Sequence, residues 1–501
     1  MADALPVWGV FQPDRSDPTP LQEQIAGFFR RSVAEGRLPP GARLPSSRQL
    51  AEQLGVARNT VSLAYERLTA EGYVVGRRGG GTRVADDLPD LTPQIPAQPA
   101  PPVPQAPVRL SAAAHKMMAE RVGIGAVDGP LQPGRPGLDA FPGRTWARLA
   151  GRFWRETPAT AFGYGDPAGF VDLRHAISRY LGAFRGLIVD PDALIVTSGA
   201  QQAIDLISRA LLDPDDTAVL EEPCYPGLRG PMVATGARLV TVPVDADGLD
   251  VACARRKAPD ARLVTVTPTH QFPLGVTLSL SRRRALVDWA MGDQACGGGP
   301  FVLEDDYDGE FRYAGKPVPP LKALDGADRV LYVGTVSKAL APSLRIGFIA
   351  APQRLVDPLV RLRGHFDRQP ALDTQAVLAR FLDEGHMAGH LRRMRTLYRE
   401  RRDALADALE AALDGRFTVE RPETGINLVV SLEGGPEDRM VVEKAMGLGI
   451  RPAPISAYFR DPTRRNGLLV GFASLPRARA RWAAGCVRAA IDAAEDRPGT
   501  A

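Results

Sequence analysis

Lys338 stands in a turn of small and hydroxyl residues, within LYVGTVSKALAPSLRIGF from Leu331 to Phe348. An apolar segment, Leu331 to Val333, leads into it, and Arg345 follows it. A lysine beside buried apolar segments loses its proton more readily than one in water. A neutral amine is a nucleophile that forms a Schiff base with an aldehyde. Arg345, with the hydroxyls of Thr335 and Ser337, supplies donors that suit a phosphate. Taken alone, a Ser-Lys pair in a turn is also what a plain surface loop looks like, so the rest of the chain has to decide.

Other residues of the same kind of chemistry end other apolar segments. Leu194 to Val196 reads as a strand running into Ser198-Gly199-Ala200-Gln201, which opens a helix. The N–H groups of a helix start can cradle a phosphate. Ala218 to Leu220 runs into EEPCYPG, where Tyr225 offers an aromatic face to a flat ring. Phe301 to Leu303 runs into EDDYDGEF, where Asp305 suits a protonated ring nitrogen and Tyr307 a ring oxygen. Leu263 to Val266 runs into TPTHQFPLG. Aldehyde, pyridinium and phosphate together describe pyridoxal 5′-phosphate. Each residue alone has a plainer reading: a metal site for the DDYD run, core for Tyr225, a helix cap for Ser198. The order along successive strand ends makes the set specific, and no metal is expected.

These residues need a scaffold. From about Gly163, helical and apolar segments alternate, which predicts an α/β domain with a mostly parallel sheet and its ligands at the strand C-termini. The chain has 501 residues, with 44% hydrophobic and 24% charged, ordinary for a globular protein of more than one domain. No apolar run reaches the length of a membrane span, and MADALPVWGVFQPDRSD lacks a basic stretch followed by an apolar one, so no leader and a cytoplasmic protein are expected. Cys224, Cys253, Cys296 and Cys486 are too scattered for a disulfide framework or a zinc site.

The first 87 residues read differently. Leu21, Ile25, Phe28, Phe29 and Val33 have helical spacing. After the Pro/Gly punctuation of GRLPPGARLP, Ser46 or Ser47 caps a helix that Gly55 ends. A second helix follows, with Val61, Ala64, Tyr65 and Leu68 on one face. YVVGRRGGGTRV, Tyr73 to Val84, makes two strands around a basic tip. Arg37 to Val84 holds eight Arg, no Lys and three Glu, a local excess of +5. This predicts a winged helix-turn-helix on double-stranded DNA. Arg58, Asn59 and Thr60 start the recognition helix, and Arg48, Arg77, Arg78 and Arg83 are placed for phosphates or the minor groove. Residues 88–108, with eight Pro in 21 positions, form a stiff linker. A large domain fills 109–501.

The segment PLQEQIAGFFRRSVAEGRLPPGARLPSSRQLAEQLGVARNTVSLAYERLTAEGYVVGRRGGGTRV closely resembles the winged helix-turn-helix of the GntR family. The resemblance implies contact with DNA by Arg48, Arg58, Thr60 and the wing tip Gly79 to Gly81, Gly80 included. From residue 109 on, YGDPAG, TSGAQQA, EEPCYPG, PTHQFPLG, EDDYDGEF and TVSKALAPSLRIG resemble fold-type I aminotransferases. That resemblance implies an obligate dimer in which Tyr164 reaches the cofactor phosphate of the neighbouring subunit. His270-Gln271 replaces the start of the usual Asn-Pro-Thr-Gly turn, which leaves open the side chain that meets the ring oxygen there. Both halves in this order resemble the MocR subfamily of GntR regulators. Its members are described as head-to-tail, domain-swapped dimers that bind DNA and sense pyridoxal phosphate, alone or with an amine or amino-acid effector.

Two positions depart from the aminotransferase pattern. Where those enzymes carry an Arg that clamps the substrate carboxylate, this strand reads LLVGFA, with Leu469 at about that place. Gly425-Ile426-Asn427 stands where relatives often show Gly-x-His. Arg451 and Arg135 are candidate substitutes for the clamp. The sequence therefore favours a regulator that holds its cofactor on Lys338. A working aminotransferase with a DNA-binding arm is the alternative, and a scaffold with a purely structural cofactor a third reading.

Overall fold

A computed structural model describes residues 11–77, 81–88, 109–120, 128–293, 298–315, 318–460 and 465–495. The chain divides into two compact units, Met1–Val108 and Arg109–Ala501. Arg78, Gly79, Gly80, Cys296 and nearly all of the linker lie outside the described residues, as does the side chain of Arg77.

In the first unit, helices α1 (Leu21–Ala34), α2 (Ser47–Leu54) and α3 (Arg58–Ala70) precede strands β1 (Val74–Arg77) and β2 (Gly81–Val84). The apolar positions read from the sequence make its core: Ile25, Phe28, Phe29 and Val33 of α1 meet Val61, Ala64, Tyr65 and Leu68 of α3. Ser46 is the cap of α2. Its side chain accepts from the Gln49 N–H, and Gln49 reciprocates, forming a capping box. Gly55 ends α2 in the left-handed region (φ 62°), a conformation that favours glycine. Tyr65 Oη ties α3 to the loop before α2 by donating to the Pro45 carbonyl (2.9 Å). The antiparallel pair β1–β2 is the wing.

The second unit is built on an eight-stranded sheet. Its strands are β3 (Leu194–Thr197), β4 (Thr217–Glu222), β5 (Arg238–Asp245), β6 (Gly248–Leu249), β7 (Ala261–Val266), β8 (Phe301–Asp306), β9 (Val330–Thr335) and β10 (Gly347–Ala350). Their spatial order is β3-β10-β9-β8-β7-β4-β5-β6. The run from β5 through β4, β7 and β8 to β9 is parallel, as expected. β10 is antiparallel to both of its neighbours. The chain reaches β10 from β9 through the Lys338 turn and no crossover helix, and a direct return of that kind reverses the strand.

A second sheet of four short antiparallel strands was legible only in its LLVGFA segment. It comprises β11 (Val419–Glu420), β12 (Asn427–Ser431), β13 (Ala453–Pro454) and β14 (Gly467–Gly471), in the order β11-β12-β14-β13. Among the described residues, no helix is long and apolar enough to cross a membrane.

Candidate functional site: a cofactor cavity and a DNA-reading unit

The C-terminal ends of β4, β8 and β9 open on one cavity of about 500 Å³. Its wall includes Ala200, Gln201, Tyr225, Asp305, Tyr307, Thr335, Ser337, Lys338 and Arg345, all named from the sequence.

Strand alternation sorts the acids of EDDYDGEF. Glu304 accepts from the backbone N–H groups of Leu321 (2.8 Å) and Lys322 (3.0 Å). Asp306 accepts from Arg185 Nε (2.8 Å) and Tyr332 Oη (2.6 Å). Asp308 meets His270 Nδ1 (2.9 Å), and Glu310 accepts from Tyr180 Oη (2.6 Å). Asp305 alone turns to the cavity, and its Oδ1 is buried without a hydrogen-bond partner. Burial, reinforced by Asp306 and Asp308, pushes its pKa up to about 7. Asp306 Oδ1 and Glu310 Oε2 are unpaired too, but only Asp305 lines the cavity, where a cationic or N–H group of a ligand could pair with it.

Lys338 hangs from the turn after β9, and its Nζ donates to the Gly134 carbonyl (2.6 Å). Burial lowers its pKa, opposed by the charges of Asp308 and Asp305. Thr335 Oγ1 donates to Ser337 Oγ (2.9 Å) and accepts from the Ser337 N–H (3.2 Å), which fixes the turn. Arg345 has a left-handed backbone (φ 52°), and its Nη2 donates to the Ser198 carbonyl (2.7 Å). That guanidinium covers the start of the helix Ala200–Leu211. Gly199 there has φ 99°, and a Cβ on it would lie 3.1 Å from Arg345 Nη2. Helix start, guanidinium and paired hydroxyls are donors that could hold a phosphate. With the orphaned Asp305 oxygen and the amine of Lys338, these residues fit a group with a phosphate, a basic ring nitrogen and an aldehyde.

Four named residues lie elsewhere. His270 sits behind the wall, with its Nδ1 2.9 Å from Tyr307 Oη. Gln271 is buried because its amide serves the backbone, donating to the carbonyls of Pro223 (2.7 Å) and Phe272 (2.8 Å), and to Glu221 (3.3 Å). Of this turn, Phe272 lines the cavity, whereas His270 and Gln271, named from the sequence as candidates toward the cofactor, do not. Tyr164 is 85% exposed, under the guanidinium of Arg368 (4.7 Å to the ring centroid). Arg135 pairs with Asp128 (2.9 Å) and is not on the wall.

Arg451 does line the cavity, with Nη1 held by the Met446 carbonyl (2.7 Å). Leu469, on β14, is 1% exposed and packs with Val429, Ile455 and Tyr458. Phe272 and Tyr458, edge to face at 5.1 Å, form an apolar wall that sequence reading missed. The signal for Phe272 was its place before Pro273. Tyr458 had none, because only tertiary contact brings it there.

In the first unit, Arg48, Arg58 and Asn59 are exposed and Thr60 is half-buried at the start of α3. Arg58 Nε lies 3.4 Å from Ser47 Oγ, which brings it close to the start of α2. Arg83 departs from expectation. Its Nη1 donates to the Gly41 carbonyl (2.9 Å), tying the wing to the loop before α2 rather than reaching outward.

The fold and the cavity define a class I and II aminotransferase scaffold joined to a bacterial regulator's DNA-reading unit. The family model for aminotransferase class I and II matches residues 146–446, and that for bacterial regulatory proteins of the gntR family matches 21–84. The probable rhizopine catabolism regulatory protein MocR of Rhizobium meliloti is 37% identical over 483 residues, 96% of each chain. The pyridoxine biosynthesis transcriptional regulator PdxR of Corynebacterium glutamicum is 35% identical, covering 93% of this chain and 95% of that one. A kynurenine aminotransferase of Pyrococcus horikoshii, solved in complex with PMP, superimposes with TM-score 0.67 at 28% identity. That match spans 78% of this chain and 96% of the other. The chain belongs to the MocR subfamily of GntR-type transcriptional regulators.

Proposed function

We propose that this DNA-binding regulator uses the cavity at Lys338 to sense pyridoxal phosphate, alone or with an amine or amino-acid effector, and so controls operator binding. Its cofactor is pyridoxal 5′-phosphate, which when bound supplies an aldehyde for a primary amine and an electron-withdrawing ring. Lys338 is the amine that holds it. Asp305 pairs with the ring nitrogen, Tyr225 stacks on the ring and Tyr307 donates to the ring oxygen. Gly199, Ala200, Gln201, Thr335, Ser337 and Arg345 hold the phosphate.

The domains assigned are 1–87 for DNA reading, 88–108 as linker and 109–501 for the effector. The working form is a cytoplasmic, head-to-tail homodimer in which Tyr164 serves the neighbouring subunit's site; its exposure fits that role. The recognition helix presents Arg58, Asn59 and Thr60 to base edges, with Arg48, Arg77, Arg78 and Gly80 at the backbone. An effector acts only to the extent that it binds the two arrangements of the dimer unequally.

The observation that favours a sensor over a working aminotransferase is Leu469. The aminotransferase resemblance puts the carboxylate-clamping Arg at about Leu469, which lies in an apolar cluster, so on this reading an α-amino acid loses its bidentate partner. Arg451 remains as the cation on the wall for an acidic effector. The test is to titrate purified protein with pyridoxal phosphate and follow its visible absorbance and its operator affinity. Uptake that Lys338→Ala abolishes, and operator affinity that depends on cofactor or amine, support the proposal. Absence of uptake by wild type overturns it, and steady turnover of common amino acids favours the enzyme.

A further inference from the structure

Tyr307 carries a hydroxyl, which both donates and accepts, so its role depends on where its proton points. Tyr307 Oη is 2.9 Å from His270 Nδ1, and the same Nδ1 is 2.9 Å from Asp308 Oδ2. His270 and Asp308 are 4% and 1% exposed. With Asp308 as a carboxylate, which has no proton to give, the proton between it and the imidazole sits on Nδ1. Nδ1–H then faces both oxygens, and Tyr307 Oη accepts from it. The tyrosine's own proton must point away from the imidazole, and the cavity lies on its open side.

We propose that His270, backed by Asp308, is a positioning residue that turns the Tyr307 hydroxyl proton into the cavity and makes Tyr307 a donor there. The inference rests on the reading that the cavity holds pyridoxal phosphate, whose ring oxygen is the acceptor.

Two further features carry it. The chain reserves space for this imidazole with glycines from separate segments. A Cβ on Gly425, which has φ 82°, would stand 2.0 Å from His270 Cε1 and 2.7 Å from Asp308 Oδ2. A Cβ on Gly275 would stand 3.2 Å from Nε2. Gly425 is held in register by its N–H to the Phe311 carbonyl (2.8 Å) and by Tyr313 Oη to its own carbonyl (2.6 Å).

The surroundings also keep the proton on Tyr307. Burial raises its pKa well above the usual range, and the charges of Asp308, Asp305, Glu221 and Asp306 raise it further. The cations on the cavity wall are Arg345, Arg451 and Lys338, the last of which feels Asp308 and Asp305. The Phe272 ring closes the other side edge-on at 6.0 Å.

The test uses the full-length protein loaded with pyridoxal phosphate, with its visible band titrated against pH. A donor at the ring oxygen favours negative charge there, so its loss moves the midpoint upward. Tyr307→Phe is expected to raise it by roughly one pH unit, the size of one hydrogen bond to a charged acceptor. His270→Leu should raise it in the same direction. His270→Asn, which keeps an N–H near the Nδ1 position, should restore the wild-type value, and in a Tyr307→Phe background His270→Leu should add nothing.

An unmoved midpoint in loaded His270→Leu, or an equal shift with and without Tyr307, overturns the inference. If that variant does not fold, His270→Gln removes the donor from the δ position and is held to the same outcomes. Wild type that takes up no cofactor overturns the functional reading and this inference with it. Normal uptake with an unmoved midpoint overturns the inference alone.

Discussion

Asp305→Asn should stabilise the cofactor-free protein while weakening its hold on the cofactor. Asp305 has an ordinary pKa of 3.8 and a folded one of about 7, raised first by burial. Below the ordinary value the carboxyl is protonated in both states and costs nothing. Between 3.8 and about 7 the unfolded chain releases the proton and the folded chain keeps it, so stability falls as pH rises; above 7 the loss is complete. A shift of this size corresponds to about 4 kcal/mol, and an unpaired buried polar group costs about 1–3 kcal/mol by mutation. Asn fills the same volume and carries no charge. Chemical denaturation of cofactor-free protein should therefore show Asp305→Asn more stable by about 2–4 kcal/mol above pH 7, with the advantage shrinking toward pH 4. Saturating pyridoxal phosphate should reverse the order, because only the carboxylate pairs with a ring cation. Equal stability above pH 7, or wild-type cofactor affinity in the variant, would refute the claim that Asp305 is kept unpaired for a ligand.

Leu469→Arg, which restores the residue type of a carboxylate clamp, should lower stability rather than create a transaminase. It places a charge among Val429, Ile455 and Tyr458. A fall in Tm without new turnover is the expected result. Arg185→Met strands Asp306, which also accepts from Tyr332 Oη, and should cost about 3–5 kcal/mol in denaturation. Arg58→Ala should weaken specific operator binding by about 1–3 kcal/mol in a titration at fixed salt, with cofactor uptake unchanged. Unchanged operator affinity would remove Arg58 from the base-reading surface.

Much of this was legible because strand ends announce themselves. Apolar runs of three or four residues stop at polar clusters, and the sheet brings those clusters together. Lys338, Asp305, Tyr307, Tyr225 and Arg345 were found that way. The helix-turn-helix was legible from local signals, down to the Ser46 cap and the Gly55 stop. What stayed hidden depends on partners distant in sequence. Nothing local distinguishes Asp305 from its four acidic neighbours; Arg185, Tyr332, Tyr180, His270 and the Leu321 turn do, by occupying the others. Likewise His270 and Phe272 are two residues apart, and only the packing of Gly425 and Tyr458 around them puts one behind the wall and the other on it.

The cofactor cradle and the place of the missing clamp belong to different sheets. Asp305, Lys338 and the helix start at Ala200 are fixed by the eight-stranded sheet, whereas Leu469 belongs to the four-stranded one. On the proposed reading, substitutions in the small sheet, whose Ala453 lines the cavity, change what the cavity accepts without loosening the large sheet. Ligand preference and cofactor retention are thus separately adjustable properties of one chain. On the proposed reading, a lineage trades turnover for reporting by changes in the small sheet alone, keeping intact the buried acids of the large one.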